Sequence, residues 1–259
     1  MLKKIKKHQS NFVKDHCFWL NPESNKDIVG SQQTAKETLD QINPELYCRT
    51  RNYLNGAITK LSPFIRHGMI TLNEVRNTAL KNVDDPKKIE KFIQELAWRD
   101  FWQRLYKSDK SIIWNDIEPY KTGFFAHEYK DEMPDDIIQS NTVNHTINQF
   151  IDTLVHTGYL HNHARMYLAS YIVHFRRIKW QVGAKWMHHY LIDGDLASNN
   201  LSWQWVASTF SHKPYIFNLD NVKKYADSTY DVSAKNNPEL DYDYPTLSLR
   251  LFPNIGSQQ

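Results

Sequence analysis

Two short stretches gather the residue types that do chemistry, Tyr159-Leu-His-Asn-His-Ala-Arg-Met166 and Ile192-Asp-Gly-Asp-Leu-Ala-Ser-Asn-Asn-Leu-Ser-Trp-Gln-Trp205. Arg165 falls in a helical segment among Met166, Leu168 and Ala169, where an unpaired guanidinium is costly, so it requires an acidic partner. Asp193 and Asp195 flank a glycine at which the chain can turn, and Asn199, Asn200, Trp203 and Trp205 follow within about three helical turns. Taken one at a time, the plain reading is that the two aspartates cap a helix and the tryptophans are core. Metal and hydrolase chemistry find little support. His161 and His163 are two apart and His188-His189 shortly precede Asp193, and neither is the spacing of a helical zinc pair. Asp193-Gly-Asp195 could in principle hold a magnesium ion. There is no GxSxG elbow, P-loop or Rossmann glycine fingerprint.

These residues need a frame, and helical spacing dominates wherever the sequence is apolar, with no clear alternating run. The expected class is all-α. Thr71-Leu-Asn-Glu74 is a capping box that should open a helix. Asp85-Pro86 offers an N-cap followed by proline at the first helical position, after which Phe92, Leu96, Trp98, Phe101, Trp102 and Leu105 recur at helical spacing to about Tyr106. Further helices are expected near 145–156, 161–178 and 182–192. The first thirty residues and the polar stretch after about Ala226, which contains Pro238 and Pro245, have no sustained period. The expected organisation is an extension at 1–30, one helical domain at 31–225 and an irregular tail at 226–259.

The run Thr157-Gly-Tyr-Leu-His-Asn-His-Ala-Arg-Met166, then Leu191-Ile-Asp-Gly-Asp-Leu-Ala-Ser-Asn-Asn200 and Trp203-Gln-Trp-Val-Ala-Ser208, closely resembles the flavin-binding signature of photolyases and cryptochromes. The resemblance extends back to Phe92-Ile-Gln-Glu-Leu-Ala-Trp-Arg-Asp-Phe101, similar to the family's helix beside the lesion cavity, and to Thr59-Lys-Leu-Ser-Pro63, similar to its phosphate-binding turn, and it spans roughly residues 30–225. It implies the family's helical FAD-binding domain, with FAD as cofactor, and makes a magnesium site improbable. It also implies that Tyr47, Thr59, Leu61 and Ser62 lie by the phosphates, that Arg165 pairs with Asp193 beside the isoalloxazine, that Asp195 lies near its pyrimidine edge, and that Asn199 faces N5. Trp203 and Trp180 match the first two members of the family's electron-carrying chain, and the third position aligns with Tyr120, with Trp114 or Trp186 as other exits. By the same resemblance Trp98 and Trp205 wall a cavity for a cyclobutane pyrimidine dimer, Glu95 hydrogen-bonds or protonates its carbonyl edge, and Asn162 and Met166 complete it. Enzymes of the family acting on (6-4) photoproducts typically carry histidines at those last two positions, so the cyclobutane substrate is favoured.

The resemblance therefore implies blue-light repair of DNA by a reduced flavin, with a flavin photoreceptor or redox protein as the alternative. Three departures keep the alternative open: no room for the α/β antenna domain upstream, Tyr159 in place of a common tryptophan, and His163 in place of an arginine that often contacts phosphate. Protonated His163 could partly replace that arginine. The expected partner is UV-damaged DNA, single- or double-stranded, with any antenna or signalling protein separate and the chain itself a monomer.

Composition sets the outer bounds. The 259 residues suffice for one large domain, and 41% hydrophobic with 24% charged residues is ordinary for a globular chain. Eight Trp, fourteen Tyr and twelve Phe against eight Gly suggest a helix-rich protein that packs rings, most of them as core filler, with a flat ligand as a further use for some. A net charge of +3 is too small for a strong field, so nucleic-acid contact must come from a local patch. Lys3, Lys4, Lys6 and Lys7, or Arg176, Arg177 and Lys179, are the candidates. Cys17 and Cys48 form no CxxC pair, which suits a reducing compartment. With no secretory signal and no membrane-spanning window, a cytoplasmic location is expected.

Overall fold

A computed structural model describes residue 28 and residues 30–255; the basic run at residues 3–7, Cys17 and most of the expected extension lie outside the described residues. Helices follow one another along the chain: α1 (Gln32–Asp40), α2 (Pro44–Thr50), α3 (Ser62–Arg66), α4 (Leu72–Lys81), α5 (Glu90–Ser108) and α6 (Asp135–Ile138). After them come α7 (His145–Thr157), α8 (Asn162–Ser170), α9 (Trp180–Tyr190), α10 (Leu196–Ala207), α11 (Leu219–Tyr225) and α12 (Tyr244–Leu251). Among the described residues the sole β feature is a bridge between Lys130 and Ile178. The fold is all-α, as the helical spacing implies.

Local chemistry explains most helix ends. Thr71 accepts the Glu74 N–H and Glu74 reaches back to the Thr71 N–H, so two orphan donors of α4 are met reciprocally. Asp85 caps a short 3-10 turn, Pro86–Ile89, that leads directly into α5. Gly158 closes α7 at φ 66°, in the left-handed region that glycine enters without steric cost. The helix expected over 161–178 is instead α8 followed by one π-turn, Tyr171–Phe175, and Arg177 at φ 52° then redirects the chain into α9. Apolar side chains continue at helical spacing through that bulge, so sequence period could not reveal it. The tail expected to be irregular carries α12, with Leu247, Leu251 and Phe252 buried.

The main core lies between α7, α8, the π-turn and α9, with Phe150, Leu154, Tyr167, Tyr171, Trp180 and Phe217 fully buried. A smaller core joins α1, α3, α4 and the start of α5 through Leu39, Phe64, Val75 and Phe92. Between them α10 packs on α5, α8 and α9. The approach of α9 to α10 is close: a Cβ on Gly183 would lie 2.4 Å from the Trp203 ring, so glycine is what lets that indole sit against α9. On α5 only Phe92 and Trp102 are buried, whereas Trp98 and Phe101 remain 47% and 42% exposed. The aromatic spacing of α5 thus serves an open surface beside α10 more than a core.

Candidate flavin site

Where α5, α8 and α10 meet the loop before α3, they enclose a cavity of about 690 Å³, within the size range of small-molecule sites. The eight residues assigned to the cofactor and the five assigned to the lesion all line it. Trp180 and Tyr120 do not; they stand behind it.

Its centre is Asp193, which is 4% exposed. Its Oδ2 accepts from the Arg165 guanidinium at 2.8 Å and from the Ser62 hydroxyl at 2.6 Å. Burial opposes its ionisation, but the Arg165 charge, the hydrogen bonds from Arg165 and Ser62, and Arg99 beyond them hold the carboxyl below the usual carboxylate range. Arg165 is further fixed by the Leu160 carbonyl at 2.7 Å and lies over the Tyr159 ring at 5.4 Å. The acidic partner that a half-buried arginine demands is therefore present. Ser62, which the resemblance places by the phosphates, here donates its hydroxyl to Asp193.

Asp195 is both a cap and a wall. Oδ1 accepts the Ser198 N–H at 2.7 Å as the N-cap of α10, while Oδ2 accepts from the Gln103 amide and faces Arg99 at 3.7 Å. Burial lowers the Arg99 pKa, Asp195 and Asp193 resist that, and Arg66 and Arg165 add to it. Arg99 and Gln103 are contributors that sequence reading passed over, although they lie one and two turns beyond Glu95 on α5. Arg66 was also missed; its Nε donates to the Gly194 carbonyl at 2.6 Å and so holds the Asp193-Gly-Asp195 turn. Only the fold brings that turn to α3.

Toward the mouth, Trp98 stacks on Trp102 with centroids 5.1 Å apart, and Trp205 packs on Tyr215 at 5.7 Å. Glu95 does not pair with Arg99; it is held by Arg51 at 3.3 Å and Lys91 at 3.2 Å. Tyr47 packs edge-on against Phe92 at 5.1 Å. Lys60, at φ 53°, and Thr59 lie in the loop wall, and Asn199 donates to the Ala184 carbonyl at 3.0 Å. His163, the departure from a phosphate-contacting arginine, is turned to the protein. Its Nδ1 donates to the Asn52 carbonyl at 2.7 Å and its ring stacks on Tyr167 at 4.4 Å, so it pins the loop, and burial lowers its pKa.

Trp203, in the cavity wall, is 2% exposed, and Trp180 behind it is fully buried. The Trp180 indole N–H donates to Asp116 at 2.6 Å, and its ring lies parallel to Trp114, with centroids 6.4 Å apart and 5° between planes. Trp114 is 41% exposed. Tyr120 instead stacks on Tyr129 at 4.3 Å, and its buried hydroxyl has no partner.

The donor set suits a flat, hydrogen-bonding cofactor. Asp193 Oδ1 and Ser198 Oγ, both in the cavity wall, are buried without a protein partner. An unmet group of this kind costs about 1–3 kcal/mol, which a bound N–H or carbonyl would relieve.

Known proteins resemble this chain in sequence and in fold. Residues 92–245 match the family model described as the FAD binding domain of DNA photolyase. The chain is similar to a deoxyribodipyrimidine photo-lyase of Synechococcus sp., 29% identical over 248 residues that cover 92% of this chain and 50% of that protein. A deoxyribodipyrimidine photo-lyase of Streptomyces griseus is 31% identical over 158 residues, covering 59% of this chain and 32% of that protein. The chain thus spans at most about half the length of these relatives. In fold it is similar to a cryptochrome of Synechocystis sp. PCC6803, with TM-score 0.68 and 20% identity over 90% of this chain and 53% of that one. A class III photolyase of Agrobacterium tumefaciens gives TM-score 0.66 at 22% identity, over 88% of this chain and 56% of that one.

Proposed function

This chain belongs to the DNA photolyase family by its FAD-binding domain, and from that premise we propose that it splits cyclobutane pyrimidine dimers in DNA under blue light. The observation that carries the reading is one cavity with two chemistries: a buried Arg165–Asp193 pair at its base and exposed aromatic rings, Trp98 and Trp205, at its mouth. FAD, bound and reduced, supplies an electron donor that blue light switches on. Asp193 Oδ1 would accept a cofactor N–H, and the Arg66, Arg99 and Arg165 guanidiniums outnumber the Asp193 and Asp195 carboxylates around it, which favours an anionic ligand. Tyr47, Thr59 and Leu61 would hold the cofactor's phosphate end.

The protein's own work on the substrate is placement. A dimer must leave the base stack to enter such a cavity. Trp98 and Trp205 offer its pyrimidines two ring faces, Met166 and Asn162 fill the floor, and Glu95 stands at the rim between Arg51 and Lys91. A carboxyl there acts on charge that appears only after electron transfer, so it contributes to splitting more than to binding. The test is blue-light repair of a defined thymine dimer, read as recovered thymine absorbance. Repair by the wild type is expected, with yield per absorbed photon several-fold lower for Glu95→Ala at an unchanged flavin spectrum. Equal yields would remove Glu95 from the mechanism.

The second reading is a flavin photoreceptor without repair activity. It is favoured by one feature, the engagement of Glu95 in two ion pairs that a dimer would have to displace. Absence of repair on both single- and double-stranded substrates would decide for it.

A further inference from the structure

Beside the flavin cavity opens a second one, of about 1010 Å³, which shares the walls Trp98, Trp102, Trp205 and Tyr215 with the first. Past those shared rings it continues over Phe101, Phe210 and Tyr244, and half of its sixteen lining residues are aromatic. Four of these rings are open to solvent, the shared Trp98 and Trp205 together with Phe101 at 42% and Tyr244 at 43% exposure. Besides its tyrosines, the charged or titratable side chains in the lining are Lys213 and His212, with no carboxylate. The loop that carries them is set by the Ser211 hydroxyl, which donates toward the Trp205 and Lys213 carbonyls at 2.8 and 2.9 Å.

We propose that this groove is a stacking platform for the unpaired bases that flank the damaged site in single-stranded DNA. The inference rests on the repair reading of the adjoining cavity, because continuity with that cavity is what brings a nucleic-acid strand to the groove. Every base has a π-face, so a row of aromatic rings accepts any sequence, and a cation at the edge meets the backbone phosphate. Bases in a duplex already stack on each other and have no free face to offer. The groove therefore selects single strands, where neighbours of an extruded dimer can leave together. An extended peptide fits less well, since it would need backbone partners that a lining of rings, prolines and two serines does not supply.

The experiment measures fluorescence anisotropy of labelled, undamaged oligothymidine of about eight nucleotides, within the usual site size of such grooves. The same oligomer paired with oligoadenine serves as comparison. Wild type is expected to bind the single strand at least roughly tenfold more tightly than the duplex, and Tyr244→Ser to lose about 5- to 100-fold of that, the worth of one base–aromatic stack. Lys213→Glu should weaken binding and flatten its salt dependence. Both variants should keep their FAD and their duplex affinity, which shows that they are folded. Single-strand binding unchanged in both variants, or equal affinity for the two DNA forms, would overturn the proposal. So would a wild-type dimer in sedimentation that Tyr244→Ser dissociates, since the groove would then be covered by a second copy. If dimers are repaired but the variants bind as wild type, the groove fails and the repair reading stands. If binding depends on the groove but no dimer is split, the repair reading fails and the groove stands.

Discussion

A carboxylate as buried as Asp193 stays ionised only while its cations remain in place. Removing Arg165 leaves that charge uncompensated, which typically costs about 3–5 kcal/mol. Arg165→Ala is therefore expected to lose FAD on purification; yellow, stoichiometric variant protein would sink the assignment. The pH dependence has a definite sign. Because the folded pKa lies below the ordinary 3.8, the stabilisation is complete above that value and is lost as pH falls through the folded one. Asp193→Asn should remove this part of acid destabilisation, measured as thermal midpoint against pH below about 4. The route of electrons is a second matter of single residues. Tyr120 is a poor terminus, since its hydroxyl has no acceptor for the proton that an oxidised tyrosine loses, and burial, with Asp116 adding to it, pushes its pKa up. Trp114 lies parallel to Trp180 and reaches solvent. Trp114→Phe should slow photoreduction of oxidised flavin more than Tyr120→Phe does, whereas the reverse order in flash spectroscopy would restore the tyrosine. Sequence showed Trp203, Trp180, Tyr120 and Trp114 only through the family resemblance, since they lie far apart in the chain. It could not show that Asp116 would hold the Trp180 indole, a contact across 64 residues of chain.

At the scale of elements, the helix ends written in a few adjacent residues were legible. The Thr71–Glu74 box and the Asp85-Pro86 start are examples, and each appears in the fold as a cap. The π-turn after α8 was not, because one extra residue in a buried apolar run leaves no mark on composition. It matters because it ends α8 behind Arg165 and sets the direction from which Trp180 enters α9. The spacing of α9 and α10 depends in turn on Gly183. An alanine methyl there would meet the Trp203 ring at 2.4 Å, closer than packed atoms tolerate. Gly183→Ala is expected to force the helices apart or turn the indole, at a cost of about 1–3 kcal/mol typical of overpacking. It should also slow photoreduction, since the ring it presses on is Trp203, without altering any of the eight residues assigned to the cofactor. Urea unfolding and flash kinetics check the two effects separately, and a variant with wild-type stability and kinetics would show that the ring has room to move.

For the whole molecule, the informative failure is the segment after Ala226, whose polar composition hides its role. Helix α7 begins at Asn144 with no cap of its own, and its Thr146 N–H is instead accepted by Asn237 Oδ1 at 2.9 Å. Asn144 in turn donates to Glu239 Oε2 at 2.6 Å, and Tyr171 donates to the same oxygen at 2.9 Å. The tail thus caps α7 and ties it to the π-turn, and Leu240 completes the main core. A reader of sequence looks for a cap within three residues of a helix start, so one supplied about ninety residues later, as general capping rules would have it, is not found. These contacts predict that residues 226–255 unfold together with the domain that carries the candidate flavin site. Asn237→Ala should lower stability by about 1–3 kcal/mol, because it leaves a buried N–H without an acceptor as well as removing a cap. Leu249→Ser, at a position 73% exposed on α12, should change little. In urea the first variant is expected to shift the midpoint at constant slope, with FAD released in the same transition. Flavin release that precedes or follows unfolding in a separate step would show that the tail and the site are independent units, and a wild-type midpoint for Asn237→Ala would show that α7 finds its cap elsewhere.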